Sequence, residues 1–357
     1  MSENLHIAIA CGGTGGHIFP GLATARVLRD RGHHVTLWLA GKGGENTAVQ
    51  GWEGRIVTIP SEGFQFGAFR SVLTAIRITG AVLRCWFIML RHKPDVVLAM
   101  GSYASIGPCF AARLHGIPYI LHEANAVPGR AVRLLAPKAR AIAICFEETR
   151  YHLKGMNAVS AGMPLRSEIQ RTENRAPKSG FNLLVMGGSL GAHAINEIVS
   201  EAICALKNPA VSVTHLTGPA DEPAVAERYR AAGVNAEVHA FTHDMTSLYE
   251  KASLAICRSG ASTCAELGVF ALPALLIPYP HAASDHQTAN ARALEKFGAA
   301  DVIRQSDMTA EWLKDYLAAQ IEDPSRLEKM SARSAARNVP LNAAAILAGV
   351  VEECARK

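Results

Sequence analysis

The chain has 357 residues, 49% of them hydrophobic, and a formal net charge of +5. At ~100–200 residues per domain this length predicts two domains, and so mild a charge gives no reason to predict nucleic-acid binding. The eight cysteines are scattered without a CxxC pair or a metal-type Cys/His spacing, which indicates reduced thiols in a cytosolic protein. The first residues lack a basic region and a small-residue cleavage site, so no signal peptide is predicted.

Short apolar runs alternate with helix-length segments through the first half of the chain. Continuous apolarity in such runs is typical of parallel strands that helices cover on both faces. The predicted strands are 5–10, 35–40, 55–59, 95–100, 118–121 and 140–145, and the predicted helices are 18–31, 71–92, 103–115 and 129–137.

The same alternation returns in the second half, after a polar stretch without strands at 166–180. Strands are predicted at 181–186, 211–218, 237–241, 254–257 and 274–279, with helices near 191–206, 222–232, 244–251, 261–269 and 285–297. The tail from about 309 is Ala-rich and helical in pattern. The predicted fold class is therefore α/β, with two doubly wound parallel-sheet halves.

Three glycine loops follow predicted strands, at 12–17, 187–192 and 258–263. In an open parallel sheet, ligands bind beyond the carboxyl ends of the strands, where helix N-termini offer free N–H groups. The first loop does not fit a dinucleotide site, because a GxGxxG frame from Gly13 meets Ile18 and the second strand ends without an acid for a ribose. Close packing of a helix on a strand is the alternative explanation for such a loop.

The third loop carries a more specific pattern. A helix that starts near Ala261 would present its N-terminus to a phosphate and the Glu266 carboxylate to sugar hydroxyls. The alternative is that Glu266 is a solvated helix residue. Downstream, 281–290 is rich in neutral donors and acceptors, which suit a sugar; its two histidines lack a clear third ligand, so no metal site is predicted.

A long stretch of the first half combines apolar and basic residues. Between Gly63 and Pro94 there is no acidic residue, and arginines recur every seven residues, at 70, 77, 84 and 91. On a helix they form one stripe beside apolar side chains, which predicts contact with an anionic membrane surface rather than a membrane-spanning segment. The alternative is an ordinary amphipathic helix with solvated arginines.

As a set, the motifs resemble those of the MurG family of glycosyltransferases: "GGTGGHIFPGLA", "HEAN" at 122–125, "GMPLR" at 162–166, "GGSLGA", "RSGASTCAE" and "HQTANA". The resemblance implies a GT-B architecture of two Rossmann-like domains facing across a cleft. It implies an acceptor and membrane-associating domain at 1–163, a UDP-GlcNAc-binding domain at 164–340, and a final helix at 341–357 that packs back on the first domain.

The function that the resemblance implies is an inverting transfer of GlcNAc from UDP-GlcNAc to undecaprenyl-pyrophosphoryl-MurNAc-pentapeptide, which converts lipid I to lipid II. The reaction belongs to peptidoglycan synthesis, and with it to cell shape and division, on the cytoplasmic face of the bacterial inner membrane. No cofactor and no metal are implied. Two alternatives stay open: a UDP-GlcNAc epimerase on the same fold, and a non-catalytic UDP-sugar-binding protein at the membrane surface.

The resemblance also implies roles for single residues. His17 becomes the candidate general base or a ligand of the acceptor phosphate, with Glu123 as a rival base. The implied donor ligands are Glu266 for the ribose, Arg166, Ser189, Ser262 and Thr263 for the diphosphate, His286, Gln287 and Asn290 for GlcNAc, Phe241 and Thr242 for uracil, and Thr14, Gly15, Gly16 and Asn125 from the first domain. The expected membrane contacts are Arg70, Arg77, Arg84, Trp86 and Phe87. Met163 and Leu190 replace an asparagine and a glutamine of the family's motifs, which weakens side-chain roles at those two positions.

Overall fold

The computed structural model describes residues 4–41, 43–60, 68–169, 180–188 and 191–356, without the side chains of 46 and 68–73. The chain divides into two compact units. Unit 1 comprises 1–166 and 342–357, and unit 2 comprises 167–341. In the described residues each unit contains one parallel sheet with helices packed on it.

The sheet of unit 1 has seven strands in the part of the chain that the structure describes. They are β1 His6–Ala10, β2 His34–Leu39, β3 Ile56–Thr58, β4 Val96–Ala99, β5 Tyr119–Glu123, β6 Ala141–Ile144 and β7 Ala158–Ser160. Their order is β3-β2-β1-β4-β5-β6-β7, and in register Ile7 pairs with Val35 on one side and Val96 on the other. The strand order therefore reverses between β1 and β4, which makes this the switch point where open α/β sheets bind ligands.

The helices of unit 1 bury aliphatic faces against both sides of this sheet. They are α1 Gly15–Asp30, α2 Glu45–Ala48, α3 Ala68–Arg91, α4 Ile106–Leu114 and α5 Arg130–Leu135. Leu22 and Leu28 of α1 join Ile7 and Ile9 in one core, and Cys85 and Met89 of α3 join a second core on the opposite face. No described helix, α3 included, is long and apolar enough to cross a membrane.

Unit 2 repeats the design with six strands among the described residues. They are β8 Phe181–Met186, β9 Val211–Leu216, β10 Ala236–His239, β11 Leu254–Cys257, β12 Ala274–Leu276 and β13 Ala300–Val302, in the order β10-β9-β8-β11-β12-β13. The helices are α6 His193–Leu206, α7 Glu222–Ala231, α8 Met245–Lys251, α9 Ala261–Val269, α10 His286–Lys296, α11 Ala310–Glu322 and α12 Ser325–Ala336. The switch point of this sheet lies between β8 and β11.

The last helix, α13 Ala343–Arg356, belongs to unit 1. Its Leu347 and Val351 are fully buried in the core that α1 and the strands form. Glu352 accepts hydrogen bonds from Arg31 (3.0 Å) and from His33 Nε2 (3.0 Å), while His33 Nδ1 accepts one from the Leu5 N–H. Because Nδ1 of His33 is an acceptor, the ring proton lies on Nε2 and points at Glu352.

Candidate active site

His17 lies in the first turn of α1, at the switch point of unit 1. Its Nδ1 is 2.7 Å from the carbonyl oxygen of Met100, the residue after β4. A carbonyl oxygen can only accept, so in the neutral ring Nδ1 carries the proton and Nε2 keeps its lone pair. The half-buried ring is thereby held in the tautomer that a general base needs.

The glycine loop before His17 is fixed from two sides. Gly13 adopts φ +127°, which favours glycine, and its N–H donates to Glu45 Oε1 at 2.7 Å. On the other side, the Ser102 hydroxyl donates to the Gly12 carbonyl at 2.5 Å. Sequence reasoning missed Glu45, although an acid that opens a short helix just after a strand and its turn was the available signal.

The remaining residues predicted in this loop form the start of α1. Thr14 is its N-cap residue, and the Thr14 carbonyl accepts from the His17 and Ile18 N–H groups. Gly15 and Gly16 follow directly, and Thr14 and Gly16 are exposed. The N-terminus of a 16-residue helix therefore opens to solvent beside His17, which favours an anion there.

Glu123, at the end of β5, is buried and committed to its own loop. Oε1 accepts from the backbone N–H (2.9 Å) and the side-chain amide (3.1 Å) of Asn125, and Oε2 accepts from the Gly129 N–H (2.8 Å). Burial raises the pKa of Glu123, and the hydrogen bonds from Asn125 and Gly129 counteract the rise. Both carboxylate oxygens of Glu123 accept hydrogen bonds from the protein, which suits a residue that shapes the loop. This arrangement differs from the prediction that Glu123 rivals His17 as the base.

Arg166 is the last residue of unit 1 before the chain enters unit 2. Its guanidinium carbon lies 5.4 Å from the ring centroid of Phe19, two residues beyond His17 on α1. The structure therefore places this predicted diphosphate ligand beside the first glycine loop.

The second glycine loop follows β8 and packs tightly against the end of β9. A Cβ on Gly191 would come within 2.0 Å of the Thr217 carbonyl oxygen, so only glycine fits there. Gly188 adopts φ +102°. Ser189, a predicted diphosphate ligand, and Leu190 lie outside the described residues.

The third loop leads from β11 into α9, on the other side of the switch point. Gly260 is the N-cap residue, and Ser262 and Thr263 are half-buried in the first turn of α9. In the second turn of α9, Glu266 Oε2 accepts a 2.6 Å hydrogen bond from the hydroxyl of Tyr249.

Tyr249 of α8 is buried and stacks on Phe270, with ring centroids 5.1 Å apart. The hydrogen bond from this buried hydroxyl orients the Glu266 carboxylate. The observed contact therefore differs from the alternative of a solvated glutamate. The residues that orient Glu266 come from separate elements, so no local pattern in the sequence pointed to Tyr249.

The predicted sugar ligands lie at the start of α10. The preceding residues Ser284 and Asp285 adopt φ +54° and +53°, a strained conformation for non-glycine residues that often marks functional sites. His286 Nδ1 contacts the Ala283 carbonyl (2.7 Å), and Gln287 Oε1 accepts from the Tyr279 N–H (3.0 Å).

Asn290 differs from the prediction that it faces the sugar. It is fully buried, and its amide donates to the Ser259 carbonyl at 3.1 Å. Ser259 Oγ in turn donates to the Gln287 carbonyl at 2.8 Å. Together these bonds join α10 to the third loop, so Asn290 holds the loop in position from the buried side.

Arg258 is a residue of this region that sequence reasoning left without a role. Its guanidinium donates to the Ile277 and Pro278 carbonyls (both 3.1 Å) and to Gln305 Oε1 (2.6 Å). Burial lowers the pKa of Arg258. The side chain therefore braces three loops at the carboxyl edge of the unit 2 sheet.

Phe241 and Thr242, the predicted uracil neighbours, follow β10 at the same edge. Phe241 is 55% exposed, and its ring meets His243 edge to face at 4.9 Å. Thr242 Oγ1 accepts from the Asp244 N–H at 3.1 Å. An exposed aromatic ring suits contact with a planar base. Within the described chain, no group of three or more His, Cys, Asp or Glu side chains could hold a metal ion.

Comparison with known proteins gives one consistent answer. Residues 7–144 match the glycosyltransferase family 28 N-terminal domain, and residues 182–345 match the glycosyltransferase family 28 C-terminal domain. A transferase from Hahella chejuensis, named UDP-N-acetylglucosamine–N-acetylmuramyl-(pentapeptide) pyrophosphoryl-undecaprenol N-acetylglucosamine transferase, is 37% identical over 93% of both chains. The crystal structure of Acinetobacter baumannii MurG is 30% identical, with a TM-score of 0.83 over 98% of this chain and 99% of that one.

The chain belongs to the MurG family. A transferase of the same name from Tolumonas auensis is 38% identical over 98% of both chains. Membership confirms the predicted family, the predicted GT-B fold of two parallel-sheet domains and the predicted class of glycosyltransferase. The MurG family assignment favours a transferase over the predicted alternatives of an epimerase and of a non-catalytic binding protein.

Proposed function

We propose that this MurG-family chain transfers GlcNAc from UDP-GlcNAc to undecaprenyl-pyrophosphoryl-MurNAc-pentapeptide with inversion at the anomeric carbon. The observation that carries the proposal is the match over nearly the whole length of both chains to relatives whose name states this reaction. The geometry agrees with it, because a base-ready histidine lies at one switch point and an oriented carboxylate at the other.

Unit 2 binds the donor in this proposal. The Glu266 carboxylate, oriented by Tyr249, accepts from the ribose hydroxyls, and Phe241 and Thr242 lie along the uracil. The N-terminus of α9, with Ser262 and Thr263, and the second glycine loop, with Ser189, bind the diphosphate through N–H groups and hydroxyls. His286 and Gln287 contact the GlcNAc, and Asn290 supports them from the core. Arg166 adds positive charge for the leaving group.

Unit 1 supplies the base. Nε2 of His17 takes the proton from the MurNAc hydroxyl while that oxygen attacks the anomeric carbon from the face opposite UDP. One carbon–oxygen bond forms, the bond between the anomeric carbon and the diphosphate breaks, and UDP leaves with the electron pair. The resulting imidazolium keeps its Nδ1 hydrogen bond to the Met100 carbonyl. Thr14, Gly15 and Gly16 offer backbone contacts beside the reacting groups, and Asn125 borders them.

The outer face of α3 is the proposed membrane contact. Its apolar side chains are more than half exposed, and arginines alternate with them: Ile76, Arg77, Leu83, Arg84, Phe87, Leu90 and Arg91. Exposed apolar and cationic groups on one helix face suit the surface of an anionic leaflet. Trp86 is half-buried and stacks on His115 (5.5 Å), and the side chain of Arg70 lies outside the described residues. We therefore place the enzyme peripherally on the cytoplasmic face of the inner membrane.

A cavity of about 350 Å³ lies directly under this face, between α3 and the start of α4. Arg77, Arg84 and Tyr103 line it together with apolar residues such as Ile78 and Ile106. Tyr103 is one residue beyond Ser102, which contacts the His17 loop. A cavity that combines guanidinium groups with apolar walls fits a lipid diphosphate and its first isoprenyl unit, so we assign it to the acceptor.

The test is transfer of radiolabelled GlcNAc from its UDP donor to a short-chain lipid I analogue in EDTA. We expect label in a lipid II-like product, with His17→Ala lowering kcat and leaving the donor KM near the wild-type value. Glu266→Ala is expected to raise the donor KM. Binding of UDP-GlcNAc without transfer of label would overturn the proposal, as would epimerised free sugar as the product.

A further inference from the structure

Glu45 is a buried carboxylate with no assigned role. Only 2% of it is exposed, although it lies in the four-residue helix α2 near the surface of unit 1. Its Oε1 accepts from the Gly13 N–H (2.7 Å) and the Ala40 N–H (3.3 Å), and Oε2 accepts from the Gly41 N–H (2.7 Å). Three backbone donors directed at one carboxylate make a site built for a negative charge.

These bonds connect the loop after β1 to the loop after β2. The two loops already touch, since a Cβ on Gly12 would lie 2.3 Å from the Ala40 nitrogen. Gly13 and Gly41 both adopt positive φ, which turns their N–H groups toward Glu45. Removal of the carboxylate would leave the Gly13 N–H without this acceptor and release the loop from the β2 side. The Ser102 contact to Gly12 would remain on the β4 side.

The loop that Glu45 fixes carries His17. Gly13 lies close to the imidazole, since a Cβ on Gly13 would be 3.8 Å from His17 Cδ2. The direction of Nε2 depends on two anchors, the Met100 carbonyl at Nδ1 and the backbone path from Gly13 through Thr14 into α1. Displacement of a reacting group by about 1 Å can cost ~10²-fold in rate, so the second anchor matters for catalysis.

Glu45 also sets the charge of the loop. In dinucleotide-binding folds the first glycine loop binds a pyrophosphate and the acid after the second strand binds a ribose. Here β2 has no such acid at its end, and the next acid along the chain, Glu45 of α2, accepts from the N–H groups of Gly13 and Gly41 itself. Those two N–H groups are therefore not open to a nucleotide diphosphate. The N-terminus of α1, beside Thr14 and Gly16, stays exposed.

We infer that Glu45 is a positioning residue for the transfer. Its carboxylate fixes the glycine loop that aims His17. The inference rests on the proposed function in one respect, the use of His17 as the base. Glu45 touches neither substrate, so its loss is expected to lower kcat while the affinity of unit 2 for UDP stays the same.

The experiment compares the wild type with Glu45→Gln and Glu45→Ala in the GlcNAc transfer assay. Glu53→Gln is the matched control, because Glu53 lies on the same segment with its side chain 86% exposed. We expect Glu45→Ala to lower kcat by about 10- to 100-fold and Glu45→Gln to fall between, since an amide oxygen can replace only one of the two carboxylate oxygens. The Kd for UDP, measured calorimetrically, should stay within about twofold.

Rescue by a small anion separates positioning from a general loss of structure. Formate can supply a carboxylate in the space that the Glu45→Ala substitution leaves. We therefore expect sodium formate to raise the kcat of Glu45→Ala several-fold, and sodium chloride at equal ionic strength to leave it unchanged. Equal effects of formate and chloride would overturn the inference. A Glu45→Gln enzyme as active as Glu53→Gln would overturn it too, as would a parallel loss of UDP affinity. If the wild type transfers no label, the proposed function fails, a result distinct from all of these.

Discussion

The hydroxyl of Tyr249 is predicted to tune recognition of the ribose. Tyr249→Phe deletes the 2.6 Å hydrogen bond to Glu266 Oε2 and keeps the ring, with its stacking on Phe270. The change also removes the 3.7 Å contact of the hydroxyl with Met186 Sδ, and it leaves the ring packing of α8 in place. If Glu266 accepts the ribose hydroxyls, its carboxylate loses orientation and the donor binds more weakly.

The size of the effect follows from the chemistry of the bond. A hydrogen bond to a charged group is worth about 1.5–3 kcal/mol, and the carboxylate itself stays in place. We expect about 1–1.4 kcal/mol of that to be lost at the ribose, which is a five- to tenfold increase in the Kd for UDP. The kcat at saturating donor should change little, because the proposed base, His17, lies in unit 1.

The assay is calorimetric titration of UDP, 2′-deoxy-UDP and 3′-deoxy-UDP into the wild type and Tyr249→Phe. The penalty for a missing ribose hydroxyl should shrink in the variant. Tyr229→Phe is the matched control, since that buried hydroxyl contacts His215 Nδ1 at 3.0 Å in the same unit and does not contact Glu266. Weakening of UDP and both deoxy ligands by one common factor would refute the reasoning, and so would an equal loss in Tyr229→Phe.

Acid stability should depend on His215, because burial lowers its pKa to about 3 while the unfolded chain titrates near 6.5. Its contribution is complete above about pH 6.5 and is lost as pH falls toward 3, at up to ~1.4 kcal/mol per pH unit. Urea unfolding between pH 7 and 5 should therefore show a weaker dependence of stability on pH for His215→Asn than for the wild type, and an equal dependence would contradict the prediction. At the outer face of α3, the double variant Leu83→Ser with Phe87→Ser should bind anionic vesicles at least about tenfold more weakly in a sedimentation assay. The control Leu341→Ser, at an exposed leucine of unit 2, should bind the vesicles like the wild type.

Periodicity and turn chemistry were enough to predict the sheets, the helices around them and the positions of all three glycine loops. These features depend on residues close together in sequence, and continuous apolar runs indicate buried parallel strands directly. The strands β7 Ala158–Ser160 and β13 Ala300–Val302 were not predicted, because AVS and ADV each include a polar residue and form no apolar run. The equally short β3 and β12 lie within the longer predicted runs 55–59 and 274–279. The tail showed helical composition, and contacts of α13 with α1 and with the strands β4, β5 and β6 assign it to unit 1.

The site residues that sequence reasoning missed are those with partners distant along the chain. Met100 is 83 residues from His17, Gly13 is 32 residues from Glu45, and Ser259 is 31 residues from Asn290. The sequence indicates which residues are polar, but the direction in which a side chain points depends on which strands are neighbours in the sheet. For that reason Asn290 and Glu123 were expected at the substrate. The structure shows the Asn290 amide donating to the Ser259 carbonyl, and the Glu123 carboxylate accepting from Asn125 and Gly129.

The two units use the same topology in opposite ways. In each unit, a glycine loop follows the central strand of the sheet. In each unit, too, one carboxylate follows a strand beside that central strand: Glu45 follows β2, and Glu266 follows β11. In unit 1 the carboxylate, Glu45, turns inward and takes up the N–H groups of the loop, so the loop becomes a rigid mount for His17. In unit 2 the carboxylate, Glu266, remains half-buried and is oriented by a tyrosine, and the proposed function uses it for the ribose hydroxyls. In that proposal, the direction of a single acid separates the catalytic half of the transferase from its nucleotide-binding half.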